Sequence, residues 1–346
     1  MSSLFGGISE FFGLDIGTTS VRLVQLKGGG SSKSLVKYAY VPVEPKIALS
    51  DSKADEQQLA QIISQLVKQA KMNTNNVAVG LPSNKVFSTV ADIDRLNGRD
   101  LAKAIPFQAD ALIPTPLNES KVDWALIGDS PTDQTKQEVL ITSVPNKFVE
   151  DRLDMLESVG LNVIAFEPDN LSLARAVTGD EVVPELIVDI GHKSTDIVIV
   201  MNTVPHLMRN VPTGTETIIK AASQNLNIDE KQAEQFVFKF GMSQDKLEGQ
   251  VAKSISATVD NLVGEIEKSI TFFGTRYNGT KIETIIVTGG ASTLPEFPLY
   301  LANKFGINVS IGNAWRNVSF SQDRQNELLS VSYQFGVAAG LAERNV

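Results

Sequence analysis

Apolar and polar positions fall twice into the same short arrangement, in LDIGTTSVRLVQL from Leu14 and VDIGHKSTDIVIV from Val188. In each, an apolar strand ends at Asp-x-Gly, small polar residues follow, and a second apolar strand begins. The pattern predicts one β-hairpin used twice, with an acidic turn at Asp15 and again at Asp189. Around the first turn, residues 11–27 read as two strands, and Gly28, Gly29 and Gly30 mark a flexible turn into a third strand over 35–43. Leu59, Ile62, Ile63, Leu66 and Val67 have helical spacing, and residues 77–81 form a short strand stopped by Pro82. Three strands, a helix and a strand begin a mixed α/β lobe, not a simple βαβ alternation.

Residues 86–160 have their own pattern and read as a compact insertion. It contains a strand in KVFSTVADI, an amphipathic helix from Arg99 to Leu112 stopped by IPTP, strands in KVDWALIG and EVLITSVP, and a helix from Asn146 closed by Gly160. Between those strands the polar segment 129–137 reads as a mobile loop tip. The second half repeats the first: strands over 185–190 and 196–201, a third in PHLMRNVPTG, then helices. The longest predicted helix covers 246–277, and TIIVTGGAS is a buried strand running into a diglycine turn and a helix.

Composition narrows the function classes. At 346 residues the chain exceeds one ordinary core. A net charge of −9 and a pI near 4.9 exclude the clustered Lys and Arg of a nucleic-acid footprint. Zero cysteines remove disulfides and thiolate metal sites, and two histidines, His192 and His206, leave little for imidazole catalysis or zinc. No apolar run approaches the roughly 18 residues needed to span a bilayer. The opening MSSLFGGISEFFGLDIG lacks a basic n-region and runs into a strand, so a cytoplasmic protein is expected, with LFGGISEFFGL as a packing arm.

The turns suggest phosphate chemistry. In Asp15-x-Gly17-Thr18-Thr19-Ser20, backbone amides converge with hydroxyls beside them, and Gly17 permits close approach. The second turn supplies Gly191, His192, Lys193, Ser194 and Thr195. Asp15 and Asp189 are expected to face each other across a cleft and hold Mg²⁺ through water, because that ion keeps much of its hydration. Arg22, on the same hairpin as Asp15, is placed to reach phosphates. Gly289, Gly290 and Ala291 form a strand-to-helix turn against which a ribose and α-phosphate can lie.

The order of two phosphate turns, a diglycine and two connecting helices (residues 167–177 and 333–344) resembles the actin-like ATPases. Small residues Gly336, Ala338, Ala339 and Gly340 suit a close helix crossing at a hinge. Within these proteins the chain most resembles the PilM family of type IV pilus assembly, then the division protein FtsA. The features carrying the likeness are LFGGISEFFGLDIGTTSVRLVQL, the insertion after VAVGLPSNKVFS, and EVLITSVPNKFVEDRLDMLESVGL.

The resemblance implies a two-lobed actin-like α/β fold of duplicated mixed sheets. Lobe I (subdomain 1A) is 1–85, 161–180 and 330–346; the inserted subdomain 1C is 86–160. Lobe II (2A) is 181–220 and 281–329, with 2B over 221–280. It further implies ATP in the interlobe cleft and the N-terminal cytoplasmic peptide of a PilN-like inner-membrane protein docked between 1A and 1C, near residues 105–113 and 139–144. Other pilus assembly platform proteins are implied partners, and the location is peripheral to the inner membrane through a partner. Whether the chain forms a homo-oligomer is left open.

Three departures from the family pattern bear on activity. The 2B helix carries Val237 and Lys239 where relatives place ribose- and adenine-holding side chains, leaving Glu234 as the available carboxylate. A second diglycine reads Gly214-Thr215. Glu167 and Asp169 lie near where relatives orient the attacking water, but carboxylates there equally suit a helix cap. The expectation is a scaffold that binds ATP with weak or absent hydrolysis. The alternatives are an FtsA-like protein, for which no membrane-anchoring helix follows GLAERNV, and a small-molecule kinase, for which no substrate base is evident.

Overall fold

In a computed structural model of the chain, residues 10–29, 33–179 and 183–345 are described. Residues 4–9 of the expected packing arm, Gly30, the expected lobe boundary at 180–181 and Val346 lie outside the described residues. Strands run over Phe12–Ile16 (β1), Ser20–Lys27 (β2), Lys33–Pro42 (β3), Asn76–Leu81 (β4), Phe87–Asp94 (β5), Ser120–Asp129 (β6) and Lys136–Pro145 (β7). They continue over Asn162–Pro168 (β8), Glu185–Ile190 (β9), Thr195–Met201 (β10), Val204–Val211 (β11), Thr284–Gly289 (β12), Asn308–Ile311 (β13) and Val318–Ser319 (β14). The chain divides into two compact units: one of Met1–Lys85, Asn146–Val177 and Asn313–Val346, the other of Val86–Pro145 and Thr178–Gly312.

The two units share a strand order. In the first, the sheet runs β14-β3-β2-β1-β4-β8, with β1, β2 and β3 antiparallel and β4 and β8 parallel to β1. In the second it runs β11-β10-β9-β12-β13 with the same directions. The hairpin pattern seen twice in the sequence is therefore the start of a duplicated mixed sheet.

In the first unit, the apolar face of the Lys53–Gln69 helix buries Leu59, Ile63 and Leu66 against Phe12, Leu14, Val77 and Val79. Ser52 starts that helix by accepting the Asp55 amide. The Asn146–Glu157 helix puts Met155 and Leu156 into the same core. It therefore packs with the first unit, and the insertion ends at Pro145, short of the expected 160. Residues 313–329 also belong here, because β14 pairs with β3 and Trp315 meets Tyr38 edge-on and lies tilted against Phe335.

The Asp169–Val177 and Gly336–Glu343 helices cross at their small residues. A Cβ on Gly340 would run into the Ser172 carbonyl, and one on Gly13 of β1 into that of Ala338. Backbone meets backbone at both points, so neither crossing can adjust by moving a flexible side chain. Gly340→Ala is expected to cost about 1–3 kcal/mol, read as a lower urea midpoint with unchanged m.

In the second unit, residues Leu186, Val188, Ile197, Ile255, Val259, Ile285 and Val287 form one continuous core between the five-stranded sheet and its helices, among them Gln250–Arg276. The inserted segment adds a three-stranded sheet, β5-β7-β6, covered by the Gly98–Leu112 helix. The 129–137 loop closes on itself: Ser130 is buried, donates its amide to Lys136 O and accepts from the Asp133 amide. A polar composition had suggested a free tip, but its hydroxyls serve the loop's own backbone.

Candidate functional site

Both acidic turns have the same hydrogen-bonded geometry. The Gly17 amide donates to Ser20 O at 3.0 Å, and the Gly191 amide to Ser194 O at 2.9 Å. In each, a Cβ on the glycine would stand 3.0–3.1 Å from that acceptor oxygen, which explains why glycine closes the turn. Thr18 is half-buried and Thr19 exposed, whereas Ser20 is buried at the start of β2.

The turns differ in what faces the aspartate across the ladder. Asp15 lies opposite Arg22, whose Nη1 is 3.0 Å from Asp15 Oδ2. Burial raises the Asp15 pKa, and the Arg22 charge and hydrogen bond oppose that rise. Arg22 Nε is buried and has no hydrogen-bond partner among the described residues. Asp189 instead lies opposite Asp196, and its Oδ1 accepts from Thr288 Oγ1 at 2.6 Å.

In the second unit the other predicted residues gather round this turn. Gly289 has φ +79°, and a Cβ there would sit 2.5 Å from Ile190 O and 2.6 Å from Asp189 Oδ1. A Cβ on Gly290, which follows, would meet Thr215 Cγ2 only at ordinary van der Waals distance, while Ala291 is fully buried. Gly214 approaches the turn so closely that a Cβ would meet His192 O at 2.5 Å and Gly191 O at 2.7 Å. The Thr215 and Glu216 amides donate to Gly191 O and His192 O, both at 3.0 Å, so the start of the Thr215–Leu226 helix is used to brace the turn. Thr215 itself points into buried space, so its Cβ does not hold the backbone off.

Several predicted contacts are committed elsewhere. Lys193 Nζ lies 2.8 Å from both Glu216 carboxylate oxygens, and Thr195 Oγ1 donates to Thr213 O at 2.6 Å. Burial pushes the His192 pKa down despite Glu216 nearby. On the Glu230–Phe240 helix, Val237 is 1% exposed inside the core, Glu234 is exposed, and Lys239 lies over the Phe240 ring. Val237 cannot hold a ribose, because the apolar face of its helix turns it inward.

Glu167 is 3% exposed and ion-paired with Arg175 and with Arg344, the latter at 2.9 Å. Two guanidiniums occupy it, so it is not a free base for water. Asp169 opens its helix with Oδ1 against Gly80. Within the expected docking segments, 105–113 and 139–144, Ile105, Ile113, Val139 and Val144 are 0–7% exposed, and Ile105, Ile113 and Val139 fill the core of the inserted sheet. Helical and strand periodicity places these side chains inside, while Phe107 and Leu112 lie on the exposed side of their helix.

Sequence reasoning missed a buried polar group in the second unit. Glu138, 1% exposed, accepts from Tyr277 Oη at 2.8 Å and from Arg276 Nη2 and Nε at 2.6 and 3.0 Å, with His206 Nδ1 3.5 Å away. Arg276 also reaches Asp92 at 2.9 Å. A carboxylate leading the apolar run EVLITSV is the sequence signal that could have found it.

Comparison with known proteins accords with the duplicated sheet. The "PilM-PilN type IV pilus biogenesis complex" has a chain 23% identical, covering 96% of this chain and 97% of its own, with a TM-score of 0.81. The ethanolamine utilization protein EutJ of Carboxydothermus hydrogenoformans is 14% identical over 96% of this chain and 89% of its own, at a TM-score of 0.57. MreB5 of Spiroplasma citri, solved bound to AMPPNP, is 14% identical over 96% and 95%, at 0.53. These likenesses establish the actin-like fold. The sequence profile of the type IV pilus assembly protein PilM family matches residues 13–346. The chain belongs to that family.

Proposed function

We propose that this protein is an ATP-binding scaffold of type IV pilus assembly that engages the N-terminal cytoplasmic segment of a PilN-like inner-membrane protein. The observation that carries the nucleotide part is the repeated turn, Gly17 on Ser20 and Gly191 on Ser194, with an aspartate before each glycine. The turn amides, the unpartnered Arg22 Nε and the positive-φ Gly289 next to Asp189 suit a phosphate chain and its sugar.

Each acidic turn offers a hard oxygen ligand of the kind that suits Mg²⁺, Asp15 in the first unit and Asp189 in the second, and Asp15 Oδ2 already faces Arg22, which favours a hydrated ion over direct ligation there. Such an ion would neutralise phosphate charge. Among the described residues no group of three or more His, Cys, Asp or Glu side chains is placed to hold a metal ion. With Glu167 held by two arginines, that carboxylate is not available to activate water, and the turns bind and orient phosphate more than they catalyse its transfer, so turnover is slow.

The partner part is supported by family membership and by the PilM-PilN complex that the fold matches over nearly its full length. Among the described residues no helix is long and apolar enough to cross a membrane, which suits attachment to the inner membrane through the partner. Calorimetric titration of the full chain with Mg-ATP and with the cytoplasmic N-terminal peptide of the PilN-like protein tests both parts. Binding of each is expected, with isolated turnover below about 1 per second. No peptide binding, with or without Mg-ATP, would overturn the pilus assignment.

A further inference from the structure

A cavity of about 420 Å³ lies within the second unit, bounded by β5, β11 and the Gln250–Arg276 helix. Its walls include the consecutive residues Ser88 to Val90 and His206 to Arg209. The face of a strand would contribute alternate residues, because successive side chains point to opposite sides. Consecutive residues mean that the strand edges themselves border the space. β5 is the end strand of the three-stranded sheet and β11 the end strand of the five-stranded one, so each brings an edge unpaired within its own sheet.

The remaining lining is charged and apolar. Arg209, Lys268 and Arg276 border the cavity, and no carboxylate does so among the described residues. Arg276 uses Nε and Nη2 on Glu138 and Asp92, which leaves Nη1 uncommitted among the described residues. Glu265 bridges Arg209 and Lys268 without lining the space. Phe272 is 61% exposed beside these cations, an apolar side chain with water on one side.

We infer that this cavity is a docking site for a short, extended, acidic peptide segment of a partner protein, added as a strand along an open edge. Backbone hydrogen bonds to the edge provide affinity, the cations select carboxylates, and Phe272 takes an apolar side chain. This partner is separate from the PilN-like segment.

Fluorescence anisotropy with the full chain tests the inference, using labelled decapeptides that alternate valine with glutamate, their lysine counterpart, and an N-methylated glutamate version. The glutamate peptide should bind at least tenfold more tightly than the lysine one. N-methylation, which removes backbone donors, should abolish binding, and K268E with F272S should weaken it about tenfold while leaving the melting temperature unchanged. Both replaced side chains are exposed, so the fold does not depend on them. Equal binding of the acidic and basic peptides, no binding of either, or full retention after N-methylation would each overturn the inference. So would displacement of the glutamate peptide by the PilN-like peptide, which would merge the two sites.

Discussion

Replacing Glu138 by alanine is expected to destabilise the second unit by about 3–5 kcal/mol, the usual cost of breaking a buried ion pair from one side. The loss is large because Arg276, Tyr277 and His206 all converge on this one carboxylate, which is 1% exposed. Arg276 keeps Asp92 at 2.9 Å, which places the result toward the lower end of that range. Glu138→Gln should cost less, since an amide oxygen still accepts from Tyr277. In a cycle with Arg276→Met, the second substitution should add little once the first is made.

The pH dependence has a definite sign. Burial alone would raise the Glu138 pKa, but donors from His206, Tyr277 and Arg276 outweigh it and hold the carboxyl below its ordinary 4.5. The stability it contributes is therefore complete above that value and is lost as pH falls through the lower folded one. Urea unfolding of wild type and variant at neutral pH reads the difference. A loss below about 1 kcal/mol would show that the network is not a keystone of this unit.

What could be read in the sequence followed from local periodicity. The two hairpins were legible because each strand alternates or runs apolar up to an Asp-x-Gly, a signal contained in about a dozen residues. The close helix crossing was legible from Gly336 and Gly340, since few other causes put two glycines one helical turn apart in an apolar segment. The limits of the insertion were not legible. The Asn146–Glu157 helix is amphipathic whichever unit its apolar face meets, and only the burial of Met155 and Leu156 beside Phe12 and Leu14 settles its place. Val237 stands where relatives carry a ligand-holding side chain, and helix phase puts it in the core. The roles of Glu167 and Glu138 depend on arginines far along the chain, Arg344 and Arg276, and no local pattern links them.

Asp15→Asn is expected to weaken Mg-ATP binding at least a hundredfold, about 2.8 kcal/mol at 1.4 kcal/mol per decade. The amide keeps an oxygen for Arg22, 3.0 Å away, and so preserves the hairpin while removing the charge that a hydrated Mg²⁺ needs. Asp15→Ala should abolish binding as well, but it also leaves Arg22 without its carboxylate in a place where Nε already lacks a partner, so stability falls with it. Comparing the variants separates loss of the site from loss of the fold. Through Asp15, acid should act on the site and not on the fold. Burial raises the Asp15 pKa above its ordinary 3.8, so protons bind the folded state more readily and falling pH does not unfold the protein through this group. Affinity for Mg-ATP should nevertheless drop as pH falls through that raised value, because the protonated acid no longer attracts the ion. A fluorescent ATP analogue titrated downward from about pH 8, with circular dichroism followed in parallel, reads both effects. Wild-type affinity in Asp15→Asn would refute the assignment of this turn to nucleotide.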